Sequence, residues 1–222
     1  MISRRSLLSS AVGAMGAGIA LDLAGLGRLL AADAIRPGVH RASEDARVNE
    51  RSVTPGTRIN PGDSVVAGPN GEVVFVVGRD AFLLRDNSRV VLEGSPGSTL
   101  LTGLRVVTGR LLSVFAPGAT KQVQTQTATL GIRGTGLYVE AEETRTYVCT
   151  CYGIVDIVSR DDPTARETVQ TQHHDQPRYV LASGAPQMLM LAPVINHTDA
   201  VLILLESLVG RTPPFGSTPY RY

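Results

Sequence analysis

The chain has 222 residues, with 21 Lys and Arg set against 20 Asp and Glu, so its formal net charge is +1. That near balance excludes the strongly basic surface on which binding to nucleic acid or another polyanion depends. The 23 Gly and 13 Pro, few aromatics and absence of Trp favour short strands joined by turns, in a chain long enough to bury one ordinary core.

The first segment reads as an address. Arg4 and Arg5 precede a weakly apolar run rich in Ala, Gly and Leu from Leu7 to about Leu21, and Ala32-Asp33-Ala34 has the small-x-small form that signal peptidase accepts. Ser3-Arg4-Arg5-Ser6-Leu7-Leu8 resembles the twin-arginine export signal of bacteria. Residues 1–34 are therefore expected to be a twin-arginine-type signal peptide. An ordinary secretion signal and an uncleaved anchor are the alternatives, although Asp22, Arg28 and the glycines interrupt the run. No later stretch is long enough to span a membrane. The mature protein is expected to start near Ile35 and to be periplasmic or otherwise exported. The twin-arginine route carries folded passengers, many of them already loaded with a cofactor.

Residues 35–54 are mixed and charged and read as an entry segment. From Thr57 a strand-and-turn rhythm begins. Asn60-Pro-Gly-Asp63 and Gly68-Pro-Asn-Gly71 are turns, because Pro presets φ and Gly or Asn tolerates positive φ. Strands are expected at Ser64–Ala67, Glu72–Val77, Ala81–Leu84, Ser88–Leu92, Leu104–Thr108 and, after a break at Gly109, Leu111–Phe115. Gln122–Leu130 alternates Val123, Thr125, Thr127 and Thr129 with glutamines and reads as one further strand. Near the end, Asp199–Val209 is apolar, with Thr198 or Asp199 as N-cap and Gly210 placed to end it. It reads as a short helix, or else a strand, followed by a Pro-rich tail. The fold class is all-β, with residues 55–190 as the β-domain and 191–222 as helix and tail.

Leu130-Gly-Ile-Arg-Gly-Thr-Gly-Leu-Tyr-Val139 is the most distinctive stretch. Gly131, Gly134 and Gly136 mark backbone points where a strand bends or another chain comes close, and Arg133 can fold onto carbonyls or face solvent. The Gly spacing is wrong for a phosphate loop. The stretch resembles the core motif of the FecR domain, through Gly131, Arg133, Gly134 and Thr135. The resemblance extends to PGDSVVAGPNGEVVF, to Leu104–Phe115 and to Tyr147–Ile157, covering about residues 55–184. It implies an extracytoplasmic all-β domain, a roll- or solenoid-like stack of short strands. Such a domain binds a protein partner at the cell envelope and passes a signal connected with iron uptake. Family members control a sigma factor through a Trp-rich segment before the export signal. Here three residues precede Arg4 and Trp is absent, so the expected role is that of the exported, non-enzymatic β-module alone.

The chemistry-bearing residues are few. Cys149 and Cys151, in Thr-Tyr-Val-Cys-Thr-Cys-Tyr-Gly153, are the only cysteines. On a strand they share a face, about 6.6 Å apart at Cα, with Tyr147, Val155 and Ile157. Three readings stand. The cysteines fill a core. They form a strained disulfide, which export permits. Or they ligate zinc, or copper in a reducing state, with His173 or His174. A hairpin turning at Ser159–Pro163 and returning along Glu167–Gln172 would bring residues near 173 opposite 149–154. Adjacent histidines face opposite ways, so one of the two would face the thiols. His40 and His197 show no partner pattern. No Ser sits in a nucleophile elbow and no carboxylates are paired for hydrolysis, so the sequence asks for no enzyme. A metal- or redox-responsive protein is the alternative to the partner-binding module, and a purely structural envelope protein is a third reading.

Overall fold

The computed structural model describes residues 35–95 and 97–216. The expected signal peptide and the last residues of the tail lie outside the described residues. The described residues form fourteen strands and one helix, and all these strands belong to one sheet. The strands are β1 (Gly38–Ala42), β2 (Ala46–Val48), β3 (Arg51–Ser52), β4 (Ser64–Ala67), β5 (Val73–Val77), β6 (Asp80–Leu84) and β7 (Ser88–Glu93). They continue with β8 (Gly103–Val114), β9 (Lys121–Gln124), β10 (Ala128–Ala141), β11 (Arg145–Ser159), β12 (Arg166–Thr171), β13 (Arg178–Leu181) and β14 (Leu189–Leu191). The helix α1 (Asp199–Leu208) follows.

The main path through the sheet runs β14-β13-β11-β10-β9-β8-β7-β4-β2-β3, with β1, β5, β6 and β12 branching from it. Branching is possible because three long strands change partners along their length. β8 pairs with β7 and β9 through its first half, then with β6 and β10 through its second. β10 passes from β9 to β8, and β11 from β13 to β12. Gly109, expected as a break, instead carries β8 onward at φ +88°, where an added Cβ would collide with Ser88.

Alternation along the strands sorts the core into two clusters on opposite faces. Val73, Phe75 and Val77 of β5 enter the first, with Phe82, Leu84, Leu111, Leu137, Val139 and Val148. Val74 and Val76 enter the second, with Leu83, Leu112, Val114, Tyr138, Tyr147, Cys149 and Cys151, joined by Leu202 and Leu205 of α1 and by Val209 just after it. The strands β4 to β7 match the sequence expectation closely, because Pro61-Gly62, Asn70-Gly71, Gly78 and Asn87 make the turns that bound them.

Three expectations are revised. Residues 35–54 hold strands: β1 pairs with β5 and β2 with β4, and Val39, Ala46, Val48 and Val53 join the first cluster. Gln122–Leu130 is a hairpin. The chain reverses between β9 and β10, and Thr125 closes the turn: its amide donates to the Ala128 carbonyl and its hydroxyl accepts from the Ala128 amide, both at 2.9 Å. The inward Thr125 and Thr127 bond Thr146 through their hydroxyls at 2.7 and 2.8 Å, so side chains rather than glycine make this turn. The tail also carries a core residue, since Phe215 packs against the second cluster.

Candidate metal centre

The Arg-Gly-Thr motif serves the fold. Gly134 (φ +54°) faces Gly153 (φ +92°) across β10 and β11, and a Cβ on Gly153 would lie 2.6 Å from the Gly134 carbonyl oxygen. Thr135 is fully buried. Its hydroxyl accepts from the Ile154 amide at 3.2 Å and sits 2.9 Å from the Ile154 carbonyl and 3.0 Å from that of Arg133. Arg133 faces outward and pairs with Asp156 at 2.6 Å. Gly131 has room for a Cβ, whereas one on Gly136 would strike the Tyr152 ring at 2.4 Å. The motif locks a bulge in both strands, and the register slips between Arg133 and Leu137.

That bulge decides where the thiols point. The expected common face from Tyr147 to Ile157 fails at Tyr152–Gly153. Tyr147, Cys149 and Cys151 join the second cluster, while Val155 and Ile157 join the first. Both thiols are free and fully buried beneath the segment that leads into α1.

The expected hairpin forms: β12 runs antiparallel to the second half of β11, and the His174 amide donates to the Cys151 carbonyl at 3.0 Å. His174 turns inward at φ +51° and places Nδ1 3.4 Å from Cys149 Sγ. His173 instead sets Nε2 3.0 Å from both carboxylate oxygens of Asp199, outside the thiol cluster. Asp199, the buried first residue of α1, also takes His174 Nε2 at 3.0 Å.

The fourth member of the cluster is His197, for which the sequence offered no pattern. Its Nε2 lies 3.0 Å from His174 Nδ1, and its ring stacks on Tyr138 with centroids 4.4 Å apart. The donor atoms of Cys149, Cys151, His174 and His197 all lie within 4.8 Å of one another, and all four residues are buried. Two thiols and one imidazole leave one place in a tetrahedral set, which marks a missing ligand without pointing to His197. His173, His174 and Asp199 form a second, overlapping group.

The outer ring nitrogens carry the argument further. His197 Nδ1 lies 2.6 Å from the Ile195 carbonyl, so it must donate. His174 Nε2 faces the Asp199 carboxylate and must donate as well. Each neutral ring then presents a lone pair inward, and these lone pairs face each other at 3.0 Å beside the Cys149 sulfur. That arrangement requires a positive charge at its centre, whether a proton or a metal. An imidazole whose far nitrogen is held by a carboxylate or carbonyl is the usual metal-binding form.

Protonation follows the same logic. Burial pushes the Cys149 thiol up, but bonds from Cys151, His174 and His197 outweigh it and hold it well below the usual thiol range. Burial and the neighbouring Cys149 push Cys151 well above that range. Burial lowers His174, but Cys149 and Asp199 together raise it. The directions favour the thiolate form at Cys149 and the protonated form at His174. The order Cys149–His174–Asp199 is also that of a thiol nucleophile with its base and orienting acid. Its sulfur has no exposed surface for a substrate to reach.

No protein-family model matches this chain, and no curated protein matches it. Among solved structures, it is similar to two crystal structures, at 1.65 and 2.50 Å resolution, of a candidate anti-sigma factor from Parabacteroides distasonis ATCC 8503. Identity is 12 and 13%, and the TM-score is 0.49 for each. The match covers 64% of this chain and 64% of theirs.

Proposed function

We propose that the protein is an exported, non-enzymatic β-module of FecR type built around a resident metal ion. The ion is zinc, held by Cys149, Cys151, His174 and His197. One observation carries the metal: four buried donor atoms converge within 4.8 Å, with the far nitrogens of both imidazoles already engaged outside. Two thiolates and two imidazoles are a common set for structural zinc, whose bonds of about 2.0–2.3 Å place donors about 3.3–3.8 Å apart. Copper in its reduced state suits the same donors. A set that is complete in protein ligands leaves no open position for water or substrate, which supports a structural rather than a catalytic ion. Asp199 and the Ile195 carbonyl act as the outer supports that orient the two rings.

The export signal and the sequence resemblance support a place in the cell envelope and work done through a protein partner. Charge gives no reason to expect nucleic acid. Among the described residues, no helix is long and apolar enough to cross a membrane.

The test is elemental analysis of the full chain purified from the exported fraction, with thiols counted in the same sample. The expected result is near-stoichiometric zinc or copper and thiols that react only after chelation. Cobalt added to the stripped protein should give the intense absorption of thiolate-to-metal charge transfer. Absence of metal, together with two thiols that titrate freely on unfolding, would return the cysteines to the role of core filling.

A further inference from the structure

The donors come from two parts of the chain that are held very differently. Cys149 and Cys151 sit mid-strand in β11, which is bonded to β10 along its length and to β13 and β12 at its two ends. His174 follows directly from β12 and is tied by its amide to Cys151. His197 lies in the segment between β14 and α1, and no sheet ladder holds that segment. Asp199, which supports the His174 ring and also holds His173, is the first residue of α1 itself.

The helix is weak by its own resources. It has ten residues, and its N-cap Thr198 makes no side-chain capping bond. Helices of this length are marginal in water and depend on packing. Packing comes from Leu202 and Leu205, with Val209 just past the helix, on the face of β6 and β8 that carries Leu83 and Leu112. Polar ties help at intervals. Tyr147 Oη donates to the Pro193 carbonyl at 2.9 Å, Asn196 Nδ2 donates to Glu140 at 2.8 Å, and Glu206 takes Tyr152 and Arg211.

We propose that the metal fastens the segment 193–211 to the sheet, so that occupancy of the centre decides whether the apolar face beneath α1 stays covered. This rests on the metal reading above. Cys149 and Cys151 stay in place when the ion leaves, because β11 carries them, and His174 is tied to that strand by its amide. The fourth donor, His197, is held by its stack on Tyr138 and by side-chain ties of its loop, without a ladder. Loss of the ion leaves four buried donor atoms without their common partner, and the half that can move is the half without a ladder. Lifting α1 and its lead-in bares the side of the sheet that carries Leu83, Leu112 and Tyr138. The two states then present different surfaces, one sealed and one apolar. Asp199 is the positioning residue that links them, since one carboxylate both orients a ligand and starts the helix.

The experiment compares the zinc-loaded full chain with the same chain stripped by a chelator, by hydrogen exchange and mass spectrometry, with zinc measured in both samples. Peptides within 193–211 should exchange at least about tenfold faster without zinc, while those of β4–β9 keep their protection. Leu202→Ala serves as a control that touches no donor. It should speed exchange in α1 while the zinc content stays unchanged. Asp199→Asn should weaken zinc by about 10–100-fold, and at saturating zinc still leave α1 less protected. If zinc is present in the loaded sample and 193–211 exchanges equally fast after stripping, the fastening is wrong and the metal reading survives. If stripping loosens β4–β9 as much as α1, the ion staples the whole fold and the fastening is again wrong. If the loaded sample holds no zinc, the metal reading falls and the fastening with it.

Discussion

The two apolar clusters lie on opposite faces of the same sheet and are built on different principles. The first is made of aliphatic side chains and Phe75, Phe82 and Phe115, with Phe82 packed against both of the others at centroid distances of 4.9 and 5.7 Å. The second mixes aliphatic residues with three tyrosines and two thiols, and buried His174, His197, Asp199 and Glu206 rim it. Apolar burial is proportional to area and indifferent to direction. Buried polar groups must each find a partner. The first cluster can therefore tolerate small rearrangements, whereas the second depends on a few contacts that are all made or all broken together.

Replacing both thiols, Cys149→Ser with Cys151→Ser, should break the second cluster most severely. We expect metal and several kcal/mol of stability to vanish in one step, read by elemental analysis and denaturant unfolding. Phe82→Ala attacks the first cluster. It should cost about 3–5 kcal/mol by lost burial and the cavity left behind, and the cost should be the same with and without a chelator. A chelator-dependent cost for Phe82→Ala would mean that the clusters are not separable in this way. Gly153→Ala strikes the bulge between them, where φ is +92° and the Gly134 carbonyl is in the way. It should cost about 1–3 kcal/mol and lower metal affinity too, because the bulge aims Cys151.

The smallest effect belongs to a partly exposed ion pair outside both clusters. Glu167 accepts from Arg178 Nη2 at 2.5 Å, and that bond holds its carboxyl below the usual range. A carboxyl depressed in the folded state adds stability above its unfolded pKa and loses it as pH falls through the folded one. Glu167 is partly exposed, so Glu167→Gln should cost under about 1 kcal/mol at neutral pH. The difference from the parent should close in acid below the ordinary Glu range.

Much of the strand order was legible because local chemistry fixes it. Ser64–Ala67, the run to Val77 and the strand beginning at Ser88 are bounded by turns whose residues need particular backbone angles. The turn at Thr125–Thr127 was not legible, because threonine hydroxyls make it and threonine alternation reads as strand. The strands within 35–54 were hidden by their charged neighbours, although Val39, Ala46 and Val48 enter the core. The site was half legible. Cys149, Cys151 and His174 meet because a hairpin has to bring them together. His197 meets them through a connection with no repeat, and nothing local to it signals a partner. His173 was placed on the correct side of the chain but belongs to Asp199. The face change at Gly153 depended on a pair of glycines in two different strands, a contact that no single-strand pattern records.

Order of synthesis gives the donor set one more meaning. Cys149 and Cys151 leave the ribosome first, His174 later and His197 last, after every strand of the sheet has been made. Until β13 and β14 are laid down and the chain returns across β11, the two thiols have no second imidazole above them. The four-donor cluster therefore forms only after the last strand has been made, and no fragment ending before His197 can hold it.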